Sequence, residues 1–215
     1  MKVLAMIIAG VLVALMGALM AAGYLPVRNI ETPKYAVLSA NKEYEIRQYP
    51  GHIVAEVQVT GTYKEAVNKG FRTIADYIFG NNTASGSIAM TAPVLHEKQL
   101  ASEKISMTAP VLHGKTGETG RYTVAFVMPS SYTLENLPKP NNPDVTVRTV
   151  PPKKYAALRF RGYAPEGKVE RKMEDLLALL KQDDVTPVGS PSVAEYNPPW
   201  TPPFMRHNEI LVEVQ

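Results

Sequence analysis

The sequence contains no cysteine among its 215 residues. Disulfide bonds, thiolate metal sites and cysteine nucleophiles are therefore excluded, whereas the redox compartment of the protein stays open. Dense positive charge is missing as well, because no cluster of Lys and Arg is longer than two residues and the formal net charge is +3. This charge pattern argues against a nucleic-acid-binding protein.

Signatures of the common enzyme classes are also missing. There is no G-x-S-x-G nucleophile elbow, no phosphate-binding loop and no dinucleotide fingerprint. Glu195 beside Tyr196 could supply acid/base chemistry in a cleft, but a neighbouring pair of this kind does not define a mechanism. We therefore predict a binding protein rather than an enzyme.

The composition, with 45% hydrophobic and 20% charged residues, is typical of one globular domain with a short additional segment. The additional segment is N-terminal, where the twenty residues from Val3 to Ala22 carry no charge. At about 1.5 Å per residue, such a run can span a bilayer as a helix. A cleaved signal peptide with a small-residue site at Ala21-Ala22-Gly23 is the alternative. The predicted divisions are an uncleaved anchor at 1–23, a linker at 24–34 and a folded domain at 35–215.

The orientation of this predicted anchor depends on few charges. Lys2 and the amino terminus lie on one side, and Arg28 and Lys34 lie on the other, so the positive-inside comparison is close to a tie. A single anchor more often leaves its short end in the cytoplasm. We therefore expect a single-pass protein of the cytoplasmic (inner) membrane, with the folded domain on the non-cytoplasmic side.

The rest of the chain is an internal duplication. A shift of 101 residues aligns two halves without a gap, at about 43–128 and 144–214. Apolar residues alternate in the same phase in both halves, which indicates matching strands with the same face inward. The aligned identities include Arg47 with Arg148, Pro50 with Pro151, Ala55 with Ala156 and Gly61 with Gly162.

Each half also contains one amphipathic helix. Apolar residues recur at i, i+3, i+4 and i+7 from Tyr63 to Ile78, and a matching stripe runs from Val169 to Leu180. The predicted order is therefore β-β-α-β-β, repeated once, in an α+β fold with an antiparallel sheet. A cleft at the junction of two such halves is a common ligand site.

Two nearly identical nonapeptides lie in the first half, at 88–96 and 105–113. They read IAMTAPVLH and ISMTAPVLH, and they differ only at Ala89 and Ser106. A proline inside an apolar run suits an edge strand, a bulge or a strand end. The pair therefore predicts a hairpin with a long loop. Its segments are either repeated core strands or a wall of a ligand pocket.

These motifs resemble those of the SOUL haem-binding protein family. The resemblance rests on MTAPV at Met90, its second copy at Met107 and YNPPWTPPFMRHNE from Tyr196, and YEIRQY from Tyr44 is similar to the family's opening strand. It covers roughly 35–214. The resemblance implies a distorted antiparallel β-barrel of two pseudo-symmetric βαββ-type repeats, with two helices packed outside. It also implies non-covalent binding of haem or a related tetrapyrrole through an apolar surface, with basic residues near the propionates.

Several side chains are candidates for contact with such a ligand. Haem needs a flat apolar slot and cations for two carboxylates. Tyr196, Trp200 and Phe204 form an aromatic series that could stack on a porphyrin or plug the end of a barrel, and we expect the single Trp to be buried. Arg47 and Arg148 are equivalent in the two halves and could hold propionates, although a strand arginine usually faces solvent.

Donors to the iron are less well defined by the sequence. Met90 and Met107 offer thioethers, but methionine usually fills gaps in a core. His52 follows the Pro50-Gly51 turn, where a ligand role competes with simple exposure. The metal ligand is therefore left open. The candidate cofactor-binding residues are Met90, Met107, Tyr196, Trp200, Phe204, Arg47, Arg148 and His52.

The remaining histidines are weaker candidates. His96 and His113 end the two nonapeptides, and we expect both to be solvated at strand ends. His207 lies beside Arg206 in a proline-rich stretch. The leading hypothesis is a membrane-anchored carrier, buffer or sensor of haem or another tetrapyrrole. The alternative is an accessory subunit of a larger membrane complex that binds no ligand.

Overall fold

A computed structural model describes residues 30–84, 102–116, 120–198 and 200–215, together with Gly10. These residues form eleven strands, two α-helices and one 3-10 helix. The elements are β1 Ala36–Ala40, β2 Glu45–Tyr49, β3 His52–Thr60, α1 Tyr63–Ile78, β4 Asn82–Thr83, β5 Val111–Lys115, β6 Arg121–Val127, β7 Lys139–Pro140, β8 Thr146–Val150, β9 Lys153–Arg161, α2 Glu166–Gln182, β10 Pro187–Glu195, the 3-10 helix Pro203–Met205 and β11 His207–Val214.

Two predicted features lie outside the described residues. One is the membrane anchor at 1–23, and the other is the first nonapeptide with Met90 and His96, so the predicted hairpin of two nonapeptides stays a prediction. In the second copy, Ile105 and Met107 precede the strand, which begins at Val111. Within the described ranges, no helix is long and apolar enough to cross a membrane.

Nine strands form one antiparallel sheet in the order β1-β2-β9-β11-β10-β5-β6-β3-β8, and β4 pairs with β7 separately. The large sheet is curled but open, because β1 and β8 are its two edges. The distorted β-barrel that the resemblance implies is therefore an open half-barrel in the structure. The α+β class, the antiparallel sheet and the two helices agree with the prediction.

The two sequence repeats exchange their first strands. β2 does not pair with β3, which follows it after two residues, but with β9 of the second repeat, where Glu45 lies opposite Ala157. In the same way β8 of the second repeat pairs with β3, where Glu56 lies opposite Thr146. The sheet consequently has two structural halves, β2-β9-β11-β10 and β5-β6-β3-β8, and each contains strands of both repeats.

Both helices pack on the same side of the sheet. Each buries there the apolar stripe that the sequence predicts. Ala66, Ile74 and Ile78 of α1 are buried against residues of β3 and β6. Leu176 and Leu180 of α2 are buried against β9, β10 and β11. The helix-facing side of the sheet is therefore the main core.

The opposite, concave face of the sheet carries no helix in the described residues. Two small apolar clusters lie there, one of Val54, Val127 and Val150 and one of Ala157, Ala194 and Leu211. Leu112 of β5 packs against both clusters, because it lies where the two halves meet. This face is where a ligand can approach the junction.

Candidate functional site

The concave face holds an apolar pocket at the junction of the two halves. Its volume is about 460 Å³ when space open to solvent is included, but the space accessible inside it is only about 60 Å³, so a ligand larger than that would lie partly outside the pocket. Its walls come from both halves, as expected for a cleft at a repeat junction, but it opens on the face opposite the helices. The residues lining this apolar pocket are Pro33, Tyr49, His52, Pro110, Leu112, Val127, Tyr155, Ser192, Tyr196 and Leu211.

A second, more polar cleft adjoins the apolar pocket. The two share Pro33, His52 and Val127, so they form one continuous groove. The volume of this polar cleft is about 950 Å³, including space open to solvent. Its other lining residues include Glu31, Lys34, Thr108, Ser130 and Tyr132. The groove thus combines an apolar slot with a polar margin.

A buried ion pair supports one wall of the apolar pocket. Two guanidinium nitrogens of Arg47 donate to the two carboxylate oxygens of Glu209 at 2.8 and 3.0 Å, and both residues are only 1% exposed. Arg47 also donates to Glu45 at 2.7 Å and to the hydroxyl of Tyr49 at 3.3 Å, and it stacks on the ring of Tyr35. The guanidinium is therefore fully engaged within the protein.

Tyr196 is fixed in the pocket wall by the same network. Its hydroxyl donates to Glu209 at 2.7 Å, and the ring of His207 stacks on its face with 4.3 Å between centroids. The Nε2 of His207 lies 3.0 Å from the other oxygen of Glu209. The hydrogen bond to Glu209 and the stacked ring of His207 together fix the position of the Tyr196 ring. The ring therefore presents a rigid surface to a ligand.

The hydrogen bonds also set the charge of the network. Burial raises the pKa of Glu209, but hydrogen bonds from His207, Arg47 and Tyr196 outweigh burial and lower its pKa to about 2. Burial and the neighbouring Glu209 raise the pKa of Tyr196 far above its ordinary value, so this hydroxyl remains protonated. The pair of Arg47 and Glu209 is therefore ionised, and its two charges cancel.

Of the two equivalent arginines, Arg148 is exposed, as the sequence suggests for a strand arginine, whereas Arg47 is not. Arg47 is buried, so it neither faces solvent nor is free to bind a propionate. Arg148 is half-exposed and makes a two-pronged contact with Glu56 at 2.9 and 2.8 Å. Each arginine binds a glutamate of the other repeat, because the first strands are exchanged. In the structure, both arginines hold the exchanged strands in place through these ion pairs.

Among the aromatic candidates, only Tyr196 lines the groove. Trp200 and Phe204 lie in the segment between β10 and β11 and are 65% and 55% exposed. The expected burial of the single Trp is therefore wrong, since the tight turns of a proline-rich segment hold its side chain outside the core. Met107 packs against the helix-side core rather than the groove, and Met90 lies outside the described residues.

His52 lies at the border of the apolar pocket and the polar cleft. Its Nδ1 is 3.0 Å from the carbonyl oxygen of Pro50. The described residues contain no group of three or more His, Cys, Asp or Glu side chains that could hold a metal ion. Of the predicted residues, the structure thus brings together His52 and Tyr196, with Arg47 in the network behind Tyr196.

The expected exposure of His113 is wrong. Its side chain is buried on the helix side of the sheet, where Nε2 lies 3.0 Å from Glu195 and the ring of Tyr63 packs at 5.5 Å. Strand alternation explains this position, because Leu112 points to the concave face and its neighbours point away from it. Glu195 is likewise directed away from the groove.

Sequence reasoning missed most of the groove lining. Leu112, Tyr155 and Leu211 line the pocket, but none was a candidate. A signal for Tyr155 and Leu211 was present in the alternation of β9 and β11, where they have the opposite phase to Leu158 and Ile210 of the helix-side core. This alternation shows that each strand has a second buried face, but it does not show which residues pack against that face.

Comparison with known proteins gives a family match along most of the chain. The profile of SOUL haem-binding proteins matches residues 30–102 and 95–213. Among curated protein sequences, none matches the chain.

Several solved structures share the fold. The crystal structure of the EcmrR C-terminal domain superposes with a TM-score of 0.57 at 10% identity, covering 84% of this chain and 98% of that chain. The chain in a cryo-EM structure of an EcmrR–DNA complex has a TM-score of 0.57 at 11% identity, with 80% and 57% covered. A conserved protein from Listeria innocua has a TM-score of 0.50 at 10% identity, with 82% and 94% covered. At these identities, the likeness concerns the fold alone.

Proposed function

Because the chain belongs to the SOUL haem-binding protein family, we propose that it binds haem or a related tetrapyrrole non-covalently in the groove of its concave face. The observation that carries this proposal is the apolar pocket between the two halves. Leu112, Val127 and Leu211 give it aliphatic walls, and three tyrosine rings complete it. A porphyrin requires such a slot for its ring and a polar margin for its two carboxylates.

The residues of the groove suit the two parts of this ligand. Tyr49, Tyr155 and Tyr196 would pack against the macrocycle, and aromatic side chains contribute large contact areas. Lys34, which lines the polar cleft, would attract a propionate. Bound haem would supply an iron centre and a strong absorption band in the Soret region. The chain's contribution is to bind and orient the macrocycle and to shield one part of it from water.

The test is a titration of the purified full-length protein with haemin, followed in the Soret region. We expect a saturable shift at micromolar protein. Leu112→Glu places a charge in the apolar pocket and should weaken binding at least about tenfold, because burying an unpaired charge is costly. The matched control is Leu134→Glu, since Leu134 is 46% exposed outside the groove. Absence of a saturable shift, or equal binding by both variants, would contradict the proposal.

The proposed role is that of a carrier, buffer or sensor rather than a catalyst. Both cavities are open to solvent, which suits a ligand that must enter and leave. The position of Glu195, the acid/base candidate, also favours a binding role. Its side chain contacts buried His113 on the helix side of the sheet, away from the groove. Haemin release to apomyoglobin, measured by stopped-flow absorption, would test a carrier or buffer role.

We also propose that the protein is anchored in the cytoplasmic membrane through its apolar N-terminal residues 3–22. The full chain should sediment with membranes and require detergent for release, whereas a variant without residues 1–29 should remain in the supernatant. Because the chain has no cysteine, a single Ser131→Cys at an exposed site can report the side of the membrane. Labelling by an impermeant maleimide in intact cells would support a non-cytoplasmic domain.

An accessory subunit of a membrane complex is the second candidate. The observation that favours it is the exposure of Tyr163, Trp200 and Phe204, at 55%, 65% and 55%, because exposed aromatic residues are enriched at interfaces. Stoichiometric partners should then co-purify after mild detergent extraction and be lost with Trp200→Ser. A monodisperse single species would contradict it.

A further inference from the structure

His52 is placed in the groove by the sheet rather than by a loop. It is the first residue of β3, and its backbone pairs with Val150 of the edge strand β8. Its half-buried side chain lines the apolar pocket and the polar cleft at once. A macrocycle in the pocket with its carboxylates in the cleft would therefore pass next to this imidazole.

The ring of His52 has a defined proton position. Its Nδ1 lies 3.0 Å from the carbonyl oxygen of Pro50. A carbonyl oxygen only accepts hydrogen bonds, so Nδ1 carries the proton and donates it. In the neutral ring, the lone pair is then on Nε2, which has no partner among the described residues. Metal-binding histidines usually show this arrangement, in which a backbone carbonyl holds the ring nitrogen that does not bind the metal.

The other described histidines lack a free nitrogen in the groove. The Nε2 of His113 is bonded to Glu195 on the helix side of the sheet. The Nε2 of His207 is bonded to Glu209, and its ring is stacked on Tyr196. Within the described part of the chain, His52 therefore offers the one imidazole that is both oriented and free in the groove.

We infer that His52 ligates the iron of a bound haem through Nε2, while the carbonyl of Pro50 fixes the orientation and tautomer of its ring. This inference rests on the proposed function, since it requires a tetrapyrrole in the groove. It goes further in naming the donor atom and in making binding depend on the metal. Iron porphyrins should bind more tightly than the metal-free macrocycle by the contribution of one axial bond.

The test compares the full-length wild-type protein with His52→Ala and with Thr60→Ala, an exposed residue at the other end of β3 that does not line the groove. The probes are haemin and metal-free protoporphyrin. We expect His52→Ala to weaken haemin binding about tenfold or more and to shift the Soret band and the electron paramagnetic resonance signal, while Thr60→Ala changes neither. Metal-free protoporphyrin should bind all three proteins equally. Added imidazole should restore the wild-type spectrum of His52→Ala.

Two results would overturn the inference while leaving the proposed function intact. One is a haemin complex of His52→Ala with the wild-type spectrum and affinity. The other is an equal loss of haemin and metal-free protoporphyrin binding in His52→Ala, because the side chain would then act only as a wall of the groove. Failure of the wild-type protein to bind either porphyrin would instead contradict the proposed function itself.

Discussion

Arg47 and Arg148 are equivalent in sequence, but they are buried to different extents. Their ion pairs therefore contribute different amounts to the stability of the fold. Arg47 is 1% exposed and pairs with an equally buried Glu209, whereas the Arg148 side chain is 50% exposed. Arg47→Met leaves the carboxylate of Glu209 buried without its main partner, which typically costs about 3–5 kcal/mol. Arg148→Met removes an exposed pair, which typically contributes less than about 1 kcal/mol. Urea unfolding of both variants measures the difference, and equal losses would contradict this account.

The pKa of Glu209 predicts a specific acid sensitivity. Its folded-state pKa is about 2, below its ordinary value of 4.5. The unfolded chain therefore takes up the proton first as the pH falls, so the stabilisation by this carboxylate is complete above about pH 4.5 and is lost progressively towards pH 2. It amounts to about 3 kcal/mol.

The measurement compares wild type with Glu209→Gln, which cannot titrate at this position. The difference in their unfolding free energies should shrink by about 3 kcal/mol between pH 6 and pH 2. Other carboxyl groups titrate in both proteins and cancel in the comparison. A difference that stays constant with pH would show that Glu209 is not held ionised in the folded state.

At the scale of elements, Gly70 sets how closely α1 approaches the sheet. A Cβ at this position would lie 2.6 Å from the Cβ of Val124 in β6, which is shorter than normal contact. Gly70→Ala should therefore destabilise the protein by about 1–3 kcal/mol through overpacking, despite the better helix propensity of alanine. Thermal unfolding followed by circular dichroism gives the change in stability.

Gly167 in the first turn of α2 is the matched control. A Cβ there would meet only the end of the Arg171 side chain, at 3.8 Å. Gly167→Ala should therefore be neutral or stabilise by up to about 1 kcal/mol. Adding Val124→Ala to Gly70→Ala should cost less than Val124→Ala alone, because it opens the space that the new methyl group needs. Simple additivity would argue against a clash.

The elements themselves were largely predictable from the sequence, because helices and strand faces depend on local periodicity. The stripe from Tyr63 to Ile78 gives the bounds of α1, and alternation gives the inward faces of β9 and β11. Strand neighbours were not predictable in this way. Arg47 meets Glu209 across 162 residues of sequence, and no local pattern carries that information. The exposure of Trp200 was not predicted for a related reason. The path of the loop that carries it depends on where β10 and β11 lie in the sheet, which no local pattern shows.

At the scale of the whole molecule, the strand exchange joins the two repeats into one cooperative unit. Without the second repeat, β3 would lack its partner β8, and β2 would lack its partner β9. Arg47 would also lack Glu209, and the apolar pocket would lose the walls formed by Tyr155 and Leu211. A repeat on its own would therefore expose strand edges and part of its core to water.

We therefore expect that fragments 30–143 and 144–215 do not fold separately but assemble when mixed. Each fragment alone should lack a cooperative urea transition, and the mixture should regain one together with the near-ultraviolet circular dichroism of the intact domain. Arg47→Met in the first fragment should weaken this assembly, because it removes a buried contact between the fragments, whereas Leu134→Ala at an exposed site should not. Cooperative unfolding of either fragment alone, unchanged on mixing, would show that the exchanged strands are dispensable and that each repeat folds independently.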